Sequence, residues 1–277
     1  MKTFSEYKNL SKNISIKESA APQYTIFPEN KEELKQMIDN EIKKQGNEAD
    51  LNHIDVSRIT DFSDLFFCSK FCGDISRWNV SNAEKMSGMF SGSKFGGDIS
   101  EWDVSNVKDM HEMFYEAFEF NQDLSGWDVS NVTNMRGMFA FSNFNGDIST
   151  WDVRNVTNMH SMFGNSSFNG NLKRWNTKSV EDMAGMFSRS KFNGDISRWD
   201  VSNVKDMSYM FIYAKSFNQD ISKWDVSKTE NMIGMFEGAK SFDQDLSGWN
   251  VSNVKYCDHM FKDCPCPKEH RPIAMQI

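Results

Sequence analysis

Eight tryptophans recur in this chain at steps of 24 or 25 residues, at Trp78, Trp102, Trp127, Trp151, Trp175, Trp199, Trp224 and Trp249. Phenylalanine keeps the same step through Phe66, Phe90, Phe114, Phe139, Phe163, Phe187, Phe211, Phe236 and Phe261; each follows a Met except the first, which follows Leu65. A third series runs through Phe71, Phe95, Phe120, Phe144, Phe168, Phe192, Phe217 and Phe242. A unit of this length cannot cover its own apolar face, so it must stack on its neighbours.

One unit reads approximately N-V-x-x-M-x-x-M-F-x-x-S-x-F-N-G-D-I-S-x-W-D-V-S. The three long units (YEAFEF, IYAKSF and EGAKSF) all gain their residue between the two Phe series, which predicts a loop there that bulges outward. Apolar spacings of three and four, as in Val204, Met207, Met210 and Phe211, predict a short helix or 3₁₀ turn. Ile196, Trp199 and Val201 predict short extended segments meeting at a bend, and Asn-Gly pairs such as Asn193 and Gly194 supply a turn. The expected fold is a repeat solenoid, leucine-rich-repeat-like: short parallel β-strands alternating with short helical or 3₁₀ turns, one coil per 24–25 residues. With each large buried side chain contributing about 1.5–3 kcal/mol, the stacked core supports folding where one unit would not. Methionine suits such a core because its unbranched chain adapts to small mismatches between coils.

Both ends of a stack need covers. Asn30 with Glu33 reads as a capping box, and Leu34, Met37, Ile38 and Ile42 form one apolar stripe that stops at Gly46. The expected organisation is a flexible tail or strap over 1–28 and a capping helix within 29–49. The solenoid of eight to nine repeats spans 50–263, and 264–277 form a C-terminal cap or tail, where prolines forbid another coil. The N-terminus has no apolar block of the secretory kind and no segment is long enough to span a bilayer, so a cytoplasmic location is expected, or the cell surface if an export signal lies outside this sequence.

The unit D-I-S-x-W-D-V-S-N-V-x-x-M-x-x-M-F resembles the BspA-like leucine-rich repeats of bacterial surface proteins, a mycoplasma-type repeat domain of unknown function, over about residues 50–263. The resemblance implies a leucine-rich-repeat-like solenoid and, for many members, adhesion or host-protein binding. It carries over no catalytic residue.

Nothing in the sequence points to an enzyme. No phosphate-cradling loop occurs, and none of the five histidines neighbours a Ser or Cys nucleophile in a recognisable motif. No cofactor or metal is expected. The C-terminal Cys257, His259, Cys264, Cys266 and His270 are zinc-competent by type, but their spacing matches no usual site, and Cys257 takes a Met slot. Cys68 and Cys72 are expected to pack. The recurrent Asp of D-I-S and the recurrent Asn of N-V are expected to bond backbone at coil corners rather than to bind calcium.

A formal charge of −8 argues against nucleic acid as the main partner. A monomer that binds a protein partner is expected, through positions that vary from coil to coil. The residue before Trp gives one such column, in which Arg77, Arg174, Arg198 and Lys223 are basic, and Lys173 sits beside Arg174 where other units have Ser. Positions after Met-Phe give a second, with Tyr115, Phe118, Phe141, Ile212 and Tyr213 as apolar extras. The alternatives to a general protein-binding module are a surface adhesin and a soluble inhibitor or decoy.

Overall fold

A computed structural model describes residues 23–275. Their one α-helix, α1 (Lys31–Gln45), forms as its caps dictate: the Asn30 side chain accepts from the Glu33 N–H at 2.9 Å, and Gly46 ends it at φ 90°. The reciprocal half of the expected capping box is shifted by one residue, since the Glu33 carboxylate accepts from the Glu29 N–H at 2.9 Å rather than from Asn30. Leu34 and Ile38 are buried against the first unit. Ile26 pairs in parallel with Ile54, so residues 23–28 are a strap; the rest of the expected tail, 1–22, lies outside the described residues.

From residue 47 onward the chain repeats one path. A parallel bridge joins the same position of successive units: Asp61 to Lys85, then Asp109, Asn134, Asn158, Asp182, Asp206, Asn231 and Tyr256. The rings stack as the series demand. Phe66, Phe90 and Phe114 follow at 5.6 Å between centroids, and Phe211, Phe236 and Phe261 close the column at the same spacing. Within each unit the two Phe series lie face to face, as in Phe139 and Phe144 at 3.9 Å. Every tryptophan is at most 5% exposed.

Two expectations about local structure are corrected. The expected strands are single-residue bridges, and among the described residues no helix falls between 47 and 267. The stretch V-x-x-M-x-x-M-F is a run of four-residue turns instead. Met110, Glu112, Phe114 and Glu116 donate their N–H groups to Asn134, Arg136, Met138 and Ala140 of the next unit at 2.7–3.0 Å, while Met113, Tyr115 and Ala117 close i→i−3 turns. Two residues per unit therefore take the left-handed conformation, as Glu112 (φ 55°) and Glu116 (φ 53°) do. A helix would spend those N–H groups inside its own unit. Here every second one points along the stack, so a helix-like apolar spacing coexists with bonding between units.

The insertions bulge outward as expected: Phe118 and Glu119, Lys215 and Ser216, and Lys240 and Ser241 are exposed, over buried Ala117, Ala214 and Ala239. Where Thr177 and Thr229 take valine slots, their hydroxyls donate to the Asp200 and Val204 carbonyls at 2.9 and 3.0 Å. Among the described residues no buried side-chain polar atom lacks a partner. At the far end, residues 264–275 fold back, with the Leu246 N–H donating to the His270 carbonyl at 2.7 Å.

Candidate interaction surface

Side-chain acceptors fix the backbone corners and so set which positions stand outside. The D-I-S aspartates each accept from the N–H two residues on: Asp98 from Ser100, Asp123 from Ser125 and Asp220 from Ser222, all at 2.8–2.9 Å. These bonds hold the carboxyls of Asp98, Asp123 and Asp220 below their ordinary range. Asn106, Asn131 and Asn155 donate to the Ser81, Ser105 and Ser130 carbonyls of the preceding unit at 2.7–2.8 Å. A third ladder is not evident from composition or period: the side-chain oxygens of Asn145, Asn169 and Asn193 accept from the N–H of Asn169, Asn193 and Asn218 at 2.8–2.9 Å. Between corners so fixed, the outer side chains sit on a stiff frame.

The basic column forms in part. Arg174, Arg198 and Lys223 are exposed at the same position of three successive units. Lys173 beside them is engaged, its Nζ 2.7 Å from Asp195, whose carboxyl is held well below the ordinary range first by Lys173 and then by Ser197. Arg77 stands four units away and faces Asp50 at 3.8 Å, so it does not join the patch. Asp195 pairs with Lys173, and Asp220 is close enough to Lys223 to feel its charge, so the column is a row of interleaved charges rather than a positive field.

The second column is more buried than its variability suggests. Ser91, Ala140, Gly164 and Glu237 are buried, and Tyr115, Ile212 and Tyr213 are half-buried. Phe118 and Phe141 are exposed at 51% and 41%. Tyr115 packs on Phe141 at 5.4 Å, and burial followed by Glu116 raises its phenol. A second cluster lies further along. The Arg189 guanidinium sits 4.7 Å over the Tyr213 ring, the Tyr213 hydroxyl meets the Glu237 carboxylate at 3.3 Å, and Lys262 pairs with Glu237 at 3.2 Å. Between the clusters the corresponding positions carry the smaller side chains of Gly164, Asn165 and Ser188.

The left-handed positions explain why aromatics stand here. Phe141, Tyr209 and Tyr213 occupy them, and the two tyrosines lie over a glycine of the following unit. Gly234 lies under the Tyr209 ring and Gly238 under Tyr213, where an added Cβ would strike the ring. Tyr209, 44% exposed, and Phe67, 58% exposed, belong to this surface and were not among the expected anchors. Phe67 stands at the position that Tyr115 takes in its own unit, which was the signal in the sequence.

Three cysteines depart from expectation: Cys68, Cys72 and Cys257 are exposed rather than packed. Cys68 occupies a left-handed position (φ 52°), and Cys257 lies in the last unit, beyond which no further unit stacks among the described residues. Cys266 is buried, and burial, then Cys264, pushes its thiol up to about 11. The Cys264 and Cys266 thiols turn to the carbonyls of Phe242 and Gln244, and His270 Nδ1 lies 3.0 Å from that of Asp243. Among the described residues no group of three His, Cys, Asp or Glu is placed to hold a metal ion, and no helix is long and apolar enough to cross a membrane.

The chain matches the model of the family described as "Mycoplasma protein of unknown function, DUF285" over residues 32–143, 123–197 and 168–270. No curated protein and no solved structure matches it.

Proposed function

We propose that this chain, which belongs to the Mycoplasma unknown-function repeat family, is a non-catalytic protein-binding module. In this reading it is a leucine-rich-repeat-like solenoid of the BspA-like kind that engages a protein partner with its turn face. The carrying observation is a set of exposed aromatics, Phe118, Phe141 and Tyr209, on a backbone bonded unit to unit. Aromatic side chains held in place before binding supply contact area with little entropy to lose, which is what an interface hot spot needs. Arg174, Arg198 and Lys223, exposed at another corner among carboxylates, give a partner a row of alternating charges to match.

The test is cross-linking and recovery of partners from native cells with three proteins: the unaltered chain, a Phe118→Ala, Phe141→Ala, Tyr209→Ala variant, and a Lys173→Glu, Arg174→Glu, Arg198→Glu variant. All three should fold alike by circular dichroism. The aromatic variant should lose the partner, since truncating a hot-spot residue costs about 2 kcal/mol or more, and the charge variant should lose less. Equal recovery by all three would move the interface off both columns.

A further inference from the structure

In every interior unit, four N–H groups of the turn run point along the stack and are taken up by carbonyls of the next unit. In the unit before last, Met232, Gly234, Phe236 and Gly238 donate to Tyr256, Asp258, Met260 and Lys262 at 2.7–2.9 Å. The equivalent donors of the last unit are Cys257, His259, Phe261 and Asp263, and among the described residues none of these four N–H groups has an acceptor. The intervening groups still close their turns, Met260 to Cys257 at 3.1 Å and Lys262 to His259 at 3.0 Å, so the row keeps its form. His259 (φ 61°) and Asp263 (φ 56°) hold the same left-handed conformation as their counterparts.

Beside this row lies an open pocket of about 440 Å³, with Met260, Phe261, Ala274 and Met275 in its wall. Phe261 itself is 9% exposed, and the residues folded back beyond 263 place the Arg271 guanidinium 5.0 Å from its ring, so a further ring stacks there only by displacing Arg271. The other end differs. Leu65 and Phe66 are each 1% exposed, against 9% for Phe261, and the turn-run donors of their unit are all taken up by the next one.

We propose that the C-terminal end of the stack is a docking edge for a segment of the Met-x-x-Met-Phe type supplied by another polypeptide, which adds to it as a further unit. The eight preceding junctions show what such a row takes: alternate carbonyls of a turn run whose Phe stacks at 5.6–5.9 Å on the Phe before it. A second copy of this chain fits less well, because its own first ring, Phe66, is 1% exposed. Edge pairing of this kind draws affinity from the main chain and specificity from the pocket. The edge is separate from the turn face, and the proposal stands whether or not that face binds.

The probe is a synthetic peptide with the sequence of residues 229–243, which contains Met232, Met235 and Phe236. In the free chain the amides of His259 and Phe261 should exchange at least about tenfold faster than those of Gly234 and Phe236, and saturating peptide should slow all four edge amides by about as much. A peptide with Phe236→Ser should fail to protect them, and the Phe118→Ala, Phe141→Ala, Tyr209→Ala variant should be protected like the unaltered chain. Edge amides already slow in the free chain, no protection by the peptide, or protection that appears merely on concentrating the chain would each overturn the proposal. The last of these would give the edge to a second copy.

Discussion

The indole Nε1–H of Trp151 donates to the carbonyl oxygen of Leu124, 27 residues earlier, at 2.8 Å. The same bond joins every tryptophan of the series to the preceding unit, from Trp78 with Leu51 to Trp249 with Ile221. Tryptophan is thus both filler and tie: its ring stacks on the next indole, as Trp151 does on Trp175 at 6.3 Å, and its one donor is satisfied out of water. Trp151→Phe should cost about 1 kcal/mol for the lost bond and more for the smaller ring. Trp249→Phe, at the last stacked position, should cost less. Thermal unfolding of the two variants checks this; equal losses would mean that the indoles do not act through both neighbours.

Glycine beneath a leaning aromatic makes a second prediction. Gly238 has φ +66° and no room for a Cβ under Tyr213, whereas Gly248 has nothing within 4 Å of the Cβ position. Gly238→Ala should destabilise by about 1 kcal/mol or more from the left-handed backbone alone, and Gly248→Ala should be near neutral. Adding Tyr213→Ala to Gly238→Ala should recover the part due to collision but not the part due to φ, which a double-mutant cycle in urea resolves.

Acid should unfold the chain through its corners. The carboxyls of Asp98, Asp123, Asp220 and Asp245 are depressed in the fold by the Ser N–H and hydroxyl that each one faces. The unfolded state therefore takes up protons first as pH falls, and the stability these groups provide is full above the unfolded carboxylate value of about 3.9 and is lost below it, through the folded values. Melting temperature should drop below about pH 4. Replacing these four aspartates together with Asn, which keeps the acceptor without the titration, should flatten that dependence.

Lys173 and Asp195 give a local version of the same effect. Lys173→Met should raise the Asp195 carboxyl toward the ordinary range, because the Lys173 bond is the largest cause of its depression, and Ser197 should keep it from returning fully. Carbon-detected titration of Asp195 reads this directly. Because the pair is exposed, stability should change little.

Much of the architecture was legible because stacking imposes strict phase. The Trp, Phe, Met, Val and Ile positions of the repeated unit named most of the core, the insertions marked the bulge, and Asn30, the stripe from Leu34 and Gly46 bounded α1. The recurrent Asp and Asn were readable as corner acceptors, since short polar side chains in turns bond the nearby backbone. The candidate surface was legible only in outline. Phe118 and Phe141 stand out as expected, but Tyr209 and Phe67 escaped notice and Lys173 turned to Asp195.

By itself, then, the sequence determined the period, the identity of the inward side chains and the helix that closes one end, because burial and capping act on residue type at fixed spacing. Tertiary structure decided how the backbone runs between Val and Phe. Apolar spacings of three and four fit a helix as well as a chain of turns, and only the neighbouring unit, by accepting every second N–H, selects the turns. That choice places two residues of each unit in the left-handed region, sends side chains such as Tyr209 and Tyr213 over the next unit, and leaves the last row of N–H groups with no acceptor among the described residues.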